Sequence, residues 1–153
     1  MKVFIFPPTS LILSDLVERF GHEPLVMMRV IRDKVTDLSL DSPPLNVTPE
    51  DVKAGLKYAA VDTPPGVRGR LALIGPLIEN ADAAIIVRNA DYSFGCVGCA
   101  RTNEYLRYMV KRRGIPTLEV EYPKENEEDA KNFVYSIEKF LRDLKEGKKN
   151  GRD

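Results

Sequence analysis

Short apolar runs alternate with amphipathic stretches along most of the chain. The first run, Lys2–Phe6, is followed by Pro7-Pro8, and it predicts a strand because proline cannot extend a sheet ladder. Residues 11–20 then carry apolar side chains at helical spacing, and Thr9 or Ser10 is placed to cap such a helix. The chain is therefore predicted to begin with a strand, a short loop and a helix.

A second apolar run covers residues 25–30 and predicts a second strand. Polarity alternates in residues 29–44, which fits either an edge hairpin or an irregular loop. Thr48-Pro49 is a strong helix start because threonine caps well and proline suits the first helical position. Residues 67–80 have a helical pattern interrupted by Gly75-Pro76, so we expect a kink or two short helices there.

The second half of the chain repeats the alternation. Residues 83–87 and 116–121 predict strands, and residues 105–113 and 127–145 predict helices. Strands separated by helices favour an α/β fold: an open, mostly parallel sheet of about four strands with helices on both faces. This is the three-layer arrangement of flavodoxin-like and Rossmann-like proteins.

Length and charge limit the organisation and the partners. The 153 residues fit one domain, predicted over residues 1–147, followed by a flexible polar tail at 148–153. Lysine plus arginine equals aspartate plus glutamate at 23 each, which predicts no nucleic-acid partner. No apolar run approaches the roughly 18 residues of a membrane span, and the N-terminal run is too short for a signal peptide. We therefore expect a cytoplasmic protein without a membrane partner.

The two cysteines stand together in Cys96-Val97-Gly98-Cys99, between the predicted strand at 83–87 and the helix after it. Ligand sites in open α/β sheets collect at the carboxyl ends of strands. Backbone N–H groups at a helix start also stabilise a thiolate, the form of cysteine that ligates or attacks. This loop is the first candidate for chemistry.

Three interpretations of the cysteine pair are open. In the cytoplasm, such a pair is more often metal-binding or redox-active than a structural disulfide. A zinc site or an iron–sulfur cluster usually has four protein ligands, and His22 is the only other histidine or cysteine. One subunit alone therefore cannot complete a cysteine-only site, and a second copy of the chain or a partner protein would supply the missing ligands to Cys96 and Cys99. The pair could instead be a thiol-redox centre, or structural residues in a non-catalytic binding or scaffold module.

Polar residues near the predicted strand ends are candidates for ligand contacts. They are Ser10, Arg88, Asn89, Arg101 and Asn103. Ser10 serves equally well as a helix cap, and residues after a strand also occur in ordinary solvated loops. These residues alone do not decide whether the chain is an enzyme.

Two stretches resemble the methanogenesis marker protein 5 family of methanogenic archaea. They are residues 2–25 and the block Phe94-Gly95-Cys96-Val97-Gly98-Cys99-Ala100-Arg101-Thr102-Asn103-Glu104. The resemblance spans nearly the whole chain, and the cysteine block is its most specific part. It implies an accessory role in methanogenesis, in maturing or activating methyl-coenzyme M reductase or its nickel cofactor, with other methanogenesis proteins as partners. It assigns no catalytic residues beyond the motif itself.

Overall fold

The computed structural model describes residues 1–36, 47–88, 97–124 and 126–150, with the backbone alone at 35, 97–99 and 148–150. In chain order, the elements are β1 (Lys2–Phe6), α1 (Leu11–Arg19), β2 (Glu23–Leu25), α2 (Met27–Val35), α3 (Pro49–Ala54), a 3-10 turn (Gly55–Lys57), α4 (Pro65–Glu79), β3 (Ala83–Arg88), α5 (Val97–Arg112), β4 (Thr117–Glu121) and α6 (Glu127–Asn150). Among these described helices, none is both long and apolar enough to cross a bilayer.

The four strands form one parallel sheet in the order β2-β1-β3-β4. β1 and β3 are its centre, with Val3 opposite Ala83 and Phe6 opposite Ile86. β2 is an edge strand, which allows Pro24 within it because its outer side needs no ladder partner. The predicted α/β fold with a four-stranded parallel sheet is confirmed.

Helices cover both faces of the sheet. Alternate residues of the central strands point to opposite sides, as the two-residue period of a strand requires. On one side, Phe4 and Ile86 belong to a core with Leu71 of α4 and Leu106 of α5. On the other side, the core is formed by β1, β3, α1 and α6; its fully buried members are Val3, Ile5, Val17, Ala83, Ile85, Ile137 and Leu141. The result is three layers, with every side chain of β1 after Lys2 buried.

The prediction of a strand at residues 25–30 is wrong in its extent. The strand ends at Leu25, and α2 begins two residues later at Met27. Met27 and Val30 are one helical turn apart, and both pack against the core on the α4 side. A short, mostly apolar run such as residues 25–30 fits a buried helix as well as a strand. Residues 29–36 are thus neither hairpin nor irregular loop, and 37–46 lie outside the described residues.

Helix ends follow the predicted capping chemistry. The amide of Leu13 donates to Ser10 Oγ at 3.3 Å, which makes Ser10 the N-cap of α1. Thr48 and Asp51 form a reciprocal capping box at the start of α3, and Pro49 occupies the first turn. α6 is longer than expected and continues to Asn150, three residues into the predicted tail.

α4 is one continuous helix of 15 residues with Pro76 inside its last turns. Pro76 has no N–H group, so a single backbone hydrogen bond of α4 is missing. At the end of the helix, the backbone amide and the side-chain Nδ2 of Asn80 both donate hydrogen bonds to the carbonyl of Pro76. The alternative of two short helices is therefore not what forms. The helix expected after Thr48 is divided instead, into α3 and the following 3-10 turn.

The 3-10 turn approaches α4 very closely at Gly55. A Cβ at this position would lie 2.2 Å from the backbone oxygen of Arg68, in the second turn of α4. The backbone of Gly55 has a helical φ of −63°, which any residue can adopt, so the requirement for glycine here is one of space. This contact sets the position of the segment that leads into α4.

We expect Gly55→Ala to destabilise the protein by about 1–3 kcal/mol, because backbone atoms must move to admit the methyl group. The matched control is Gly66→Ala in the first turn of α4, where an added Cβ meets nothing within 4 Å. This control should leave stability unchanged or raise it by up to about 1 kcal/mol. Urea denaturation measures both variants. Equal stabilities for the two would contradict the close packing of Gly55 on Arg68.

Candidate functional site

The strand order creates a crevice at the carboxyl ends of the strands. The chain passes from β1 outward to β2 and then returns across β1 to β3, so the loops after β1 and β3 diverge to opposite faces. Such a switch point, at the carboxyl ends of parallel strands, is where ligands bind in open α/β sheets. Ser10 follows β1 here, Arg88 ends β3, and α5 begins at Val97.

Cys99 lies in the first turn of α5, a helix of 16 residues that has no acidic residue in that turn. The amino end of such a helix carries uncompensated positive partial charge, which stabilises thiolates. Cys99 is three residues before Thr102 and seven before Leu106, both buried. Cys96 and Asn89 are outside the described residues, so the joint placement of the two thiols stays a prediction.

Arg88 is held at the end of the sheet by ion pairs to β4. Its guanidinium lies 3.3 Å from a carboxylate oxygen of Glu119 and 3.8 Å from one of Glu121. Lys111 of α5 contacts the other oxygen of Glu119 at 3.0 Å. The hydrogen bond from Lys111 holds the pKa of Glu119 below its ordinary value of 4.5, with partial burial acting in the opposite direction and Arg88 adding to the lowering. Arg88 therefore has an evident structural role.

Arg101 and Thr102 line a cleft between α4 and α5. The cleft has a volume of about 670 Å³, within the range of small-molecule sites. Its walls are residues of the segment that precedes α4, the first turns of α4, and α5: Tyr58, Ala59, Asp62, Thr63, Pro64, Val67, Leu71, Arg101, Thr102 and Tyr105. Asn103, the other candidate on α5, is half-buried in the same turn.

Two tyrosines fix the shape of this cleft. The hydroxyl of Tyr105 donates to the backbone oxygen of Tyr58 at 2.9 Å, which ties α5 to the segment before α4. The ring of Tyr58 lies so close to α4 that a Cβ on Gly75 would be 2.4 Å from it. Burial raises the pKa of Tyr58 above its ordinary value of 10.0.

Sequence reasoning missed the cleft residues Tyr58, Asp62 and Tyr105. Tyr105 belongs to the apolar pattern that predicts the helix at residues 105–113, and it is 37% exposed in the structure. Its hydroxyl group was the available signal, because a buried or half-buried tyrosine usually has a hydrogen-bond partner. Asp62 and Tyr58 come from a segment whose approach to α5 depends on tertiary packing.

His22 cannot join Cys99 within one subunit. It directly precedes β2, so it lies at the amino ends of the strands. The helix α5 begins at the other end, where the strands finish. Its side chain is buried, and Nε2–H donates to the carbonyl of Leu141 in α6 at 2.9 Å. In the described ranges, no three or more histidine, cysteine, aspartate or glutamate side chains cluster as metal ligands would.

Comparison with known proteins places these features in a family. A family model described as an uncharacterized protein conserved in archaea, DUF2112, matches residues 1–144. The chain belongs to the DUF2112 family. It is also 58% identical, over 149 residues, to the uncharacterized protein MJ0404 of the methanogen Methanocaldococcus jannaschii, covering 97% of this chain and 99% of the relative. No solved structure is significantly similar.

The ion pairs around Glu119 predict a pH-dependent contribution to stability. A carboxyl whose pKa is lowered by folding stabilises the protein above its unfolded pKa, and that contribution is lost as pH falls through the folded pKa. Glu119→Gln should therefore be less stable than wild type at pH 7, by about 1 kcal/mol or less. The difference should shrink as pH falls below 4.5.

Chemical denaturation at pH 7 and at pH 3 measures this effect. Glu146→Gln, an exposed position near the end of α6, is the control and should show no such pH-dependent difference. A stability difference for Glu119→Gln that is the same at both pH values would contradict the role of these ion pairs.

Proposed function

We propose that this DUF2112 protein is an accessory factor of methanogenesis that holds a metal ion or iron–sulfur cluster through Cys96 and Cys99. Two lines of evidence support the biological context. A relative that is 58% identical comes from a methanogen, and the chain resembles methanogenesis marker protein 5 through residues 2–25 and 94–104. The corresponding task is maturation or activation of methyl-coenzyme M reductase, with other methanogenesis proteins as partners.

The observation that carries the chemical part is the position of the C-x-x-C motif. Its last residue, Cys99, is in the first turn of α5, the helix that follows the central strand β3 along the chain. Two thiols separated by two residues can ligate one zinc ion or one iron–sulfur cluster together. The helix start favours their ionised forms, which are the ligating forms.

One chain supplies only two of the four thiolates of a cysteine-only site. His22 lies at the amino ends of the strands, away from the cysteine motif. The remaining ligands therefore come from a second copy of the chain or from a partner protein. In a symmetric dimer, two cysteine pairs that meet at the two-fold axis complete a four-thiolate site. A shared site of this kind suits a protein that carries a metal or cluster to another protein, since replacing one partner releases half of the ligands.

Anaerobic purification followed by metal and acid-labile sulfide analysis tests this proposal. We expect about one zinc ion or one cluster per two chains if the site is a homodimer. Cys96→Ser and Cys99→Ser should each abolish the bound metal while leaving the thermal unfolding midpoint of the metal-free protein unchanged. Ala130→Ser, on α6 and far along the chain from the loop, is the matched control and should retain the metal.

Two outcomes would contradict metal ligation. A metal-free wild-type protein with a reversible disulfide and turnover of a disulfide substrate would indicate the thiol-redox alternative. A metal-free protein whose double serine variant still binds its partners and supports growth of a methanogen would indicate a scaffold module with structural cysteines.

A further inference from the structure

The cleft between α4 and α5 carries two opposite charges that have no ion-pair partner in the part of the chain that the structure describes. Arg101 and Asp62 both line it, and both are exposed. Within the described residues, neither side chain forms a hydrogen bond or an ion pair, with each other or with any other group. Since an ion pair forms within 4.0 Å, the guanidinium and the carboxylate are farther apart than that. The space between two such groups is suited to a ligand that contacts both.

The rest of the lining is mostly apolar and aromatic. Val67 and Leu71 of α4 line the cleft, with Leu71 only 2% exposed, and so do Tyr58 and Tyr105. An apolar cleft with a few convergent polar groups is the usual construction of a small-molecule site. The apolar lining excludes strongly hydrated ions such as inorganic phosphate as well-fitted occupants, because they would gain nothing from these contacts.

The electric field of the helices orients such a ligand. α5 starts one turn before Arg101, and neither α4 nor α5 has an acidic residue in its first turn. The positive end of α5 therefore favours an anionic group beside Arg101. A carboxylate also matches the planar fork of a guanidinium. Asp62, the carboxylate of the opposite wall, favours an ammonium group.

We propose that this cleft binds a small zwitterion of the amino-acid type with an apolar side chain. The ligand carboxylate pairs with Arg101, its ammonium pairs with Asp62, and its side chain packs on Val67 and Leu71. Thr102, which lines the same cleft, is three residues after Cys99, so the ligand lies about one helical turn from the cysteine motif. The site is independent of metal ligation and uses no cysteine.

Probes that differ by one charge test the proposal. They are L-phenylalanine, 3-phenylpropionate, which lacks the ammonium, and 2-phenylethylamine, which lacks the carboxylate. Binding is measured by calorimetry and by amide shifts in ¹H–¹⁵N spectra of the full chain. We expect L-phenylalanine to bind about tenfold more tightly than either other probe, with shifts at residues 58–71 and 101–105.

Two variants assign the charges. Arg101→Gln should remove the advantage of L-phenylalanine over 2-phenylethylamine, and Asp62→Asn should remove its advantage over 3-phenylpropionate. Arg112→Gln, an exposed arginine at the far end of α5, is the matched control and should bind as wild type does. All four proteins should have the same thermal unfolding midpoint, because these side chains lie on the surface.

The double variant Cys96→Ser, Cys99→Ser separates this proposal from metal ligation, since it should bind L-phenylalanine normally. The cleft proposal is overturned if the three probes bind equally, if shifts map outside the cleft, or if Arg101→Gln and Asp62→Asn leave affinity unchanged. Binding of 3-phenylpropionate alone would also overturn it and would indicate a simple organic anion.

Discussion

The parallel pairing of β1 with β3 is the constraint on which the rest of the structure depends. Both strands are buried on both faces, so each must be covered by helices on two sides. Right-handed crossovers meet that requirement by sending α1 to one face and α4 and α5 to the other. The same pairing places the starts of the loops after β1 and β3 side by side at the carboxyl ends of these strands. Stability and the crevice thus have a common origin in β1 and β3.

Two different candidate sites lie near the carboxyl ends of these strands. Cys99 is in the first turn of α5, and the α4–α5 cleft lies about one helical turn further along the same helix. Close approaches at Gly55 and Gly75 hold the outer wall of the cleft against α4. Arg88 and Glu119, by contrast, are occupied in joining β3, β4 and α5.

Sequence periodicity was sufficient for the elements whose burial is simple. β1, β3 and α1 were predicted nearly to the residue. Proline, glycine and a capping residue mark the ends of β1 and α1, and β3 is an unbroken apolar run between polar residues. The six-residue run at 25–30 was assigned to a strand, since short apolar runs do not separate strand from buried helix. The cleft was not predictable, because Tyr58 and Asp62 meet α5 only through tertiary contacts such as the hydrogen bond from Tyr105 to Tyr58. Arg101 was identified as a candidate from its place after the cysteines, and the structure gives it a cleft.

We propose that the Sγ atoms of Cys96 and Cys99 together bind one metal centre near the carboxyl end of β3. Anomalous X-ray diffraction from anaerobically grown crystals tests it most directly, because it locates a metal without assuming its identity. Metal ligation by both cysteines predicts an anomalous peak within about 2.3 Å of the Sγ atoms of Cys96 and Cys99, with further ligands from another chain. Well-ordered thiols with no metal between them, pointing into the interior or away from each other, would contradict it.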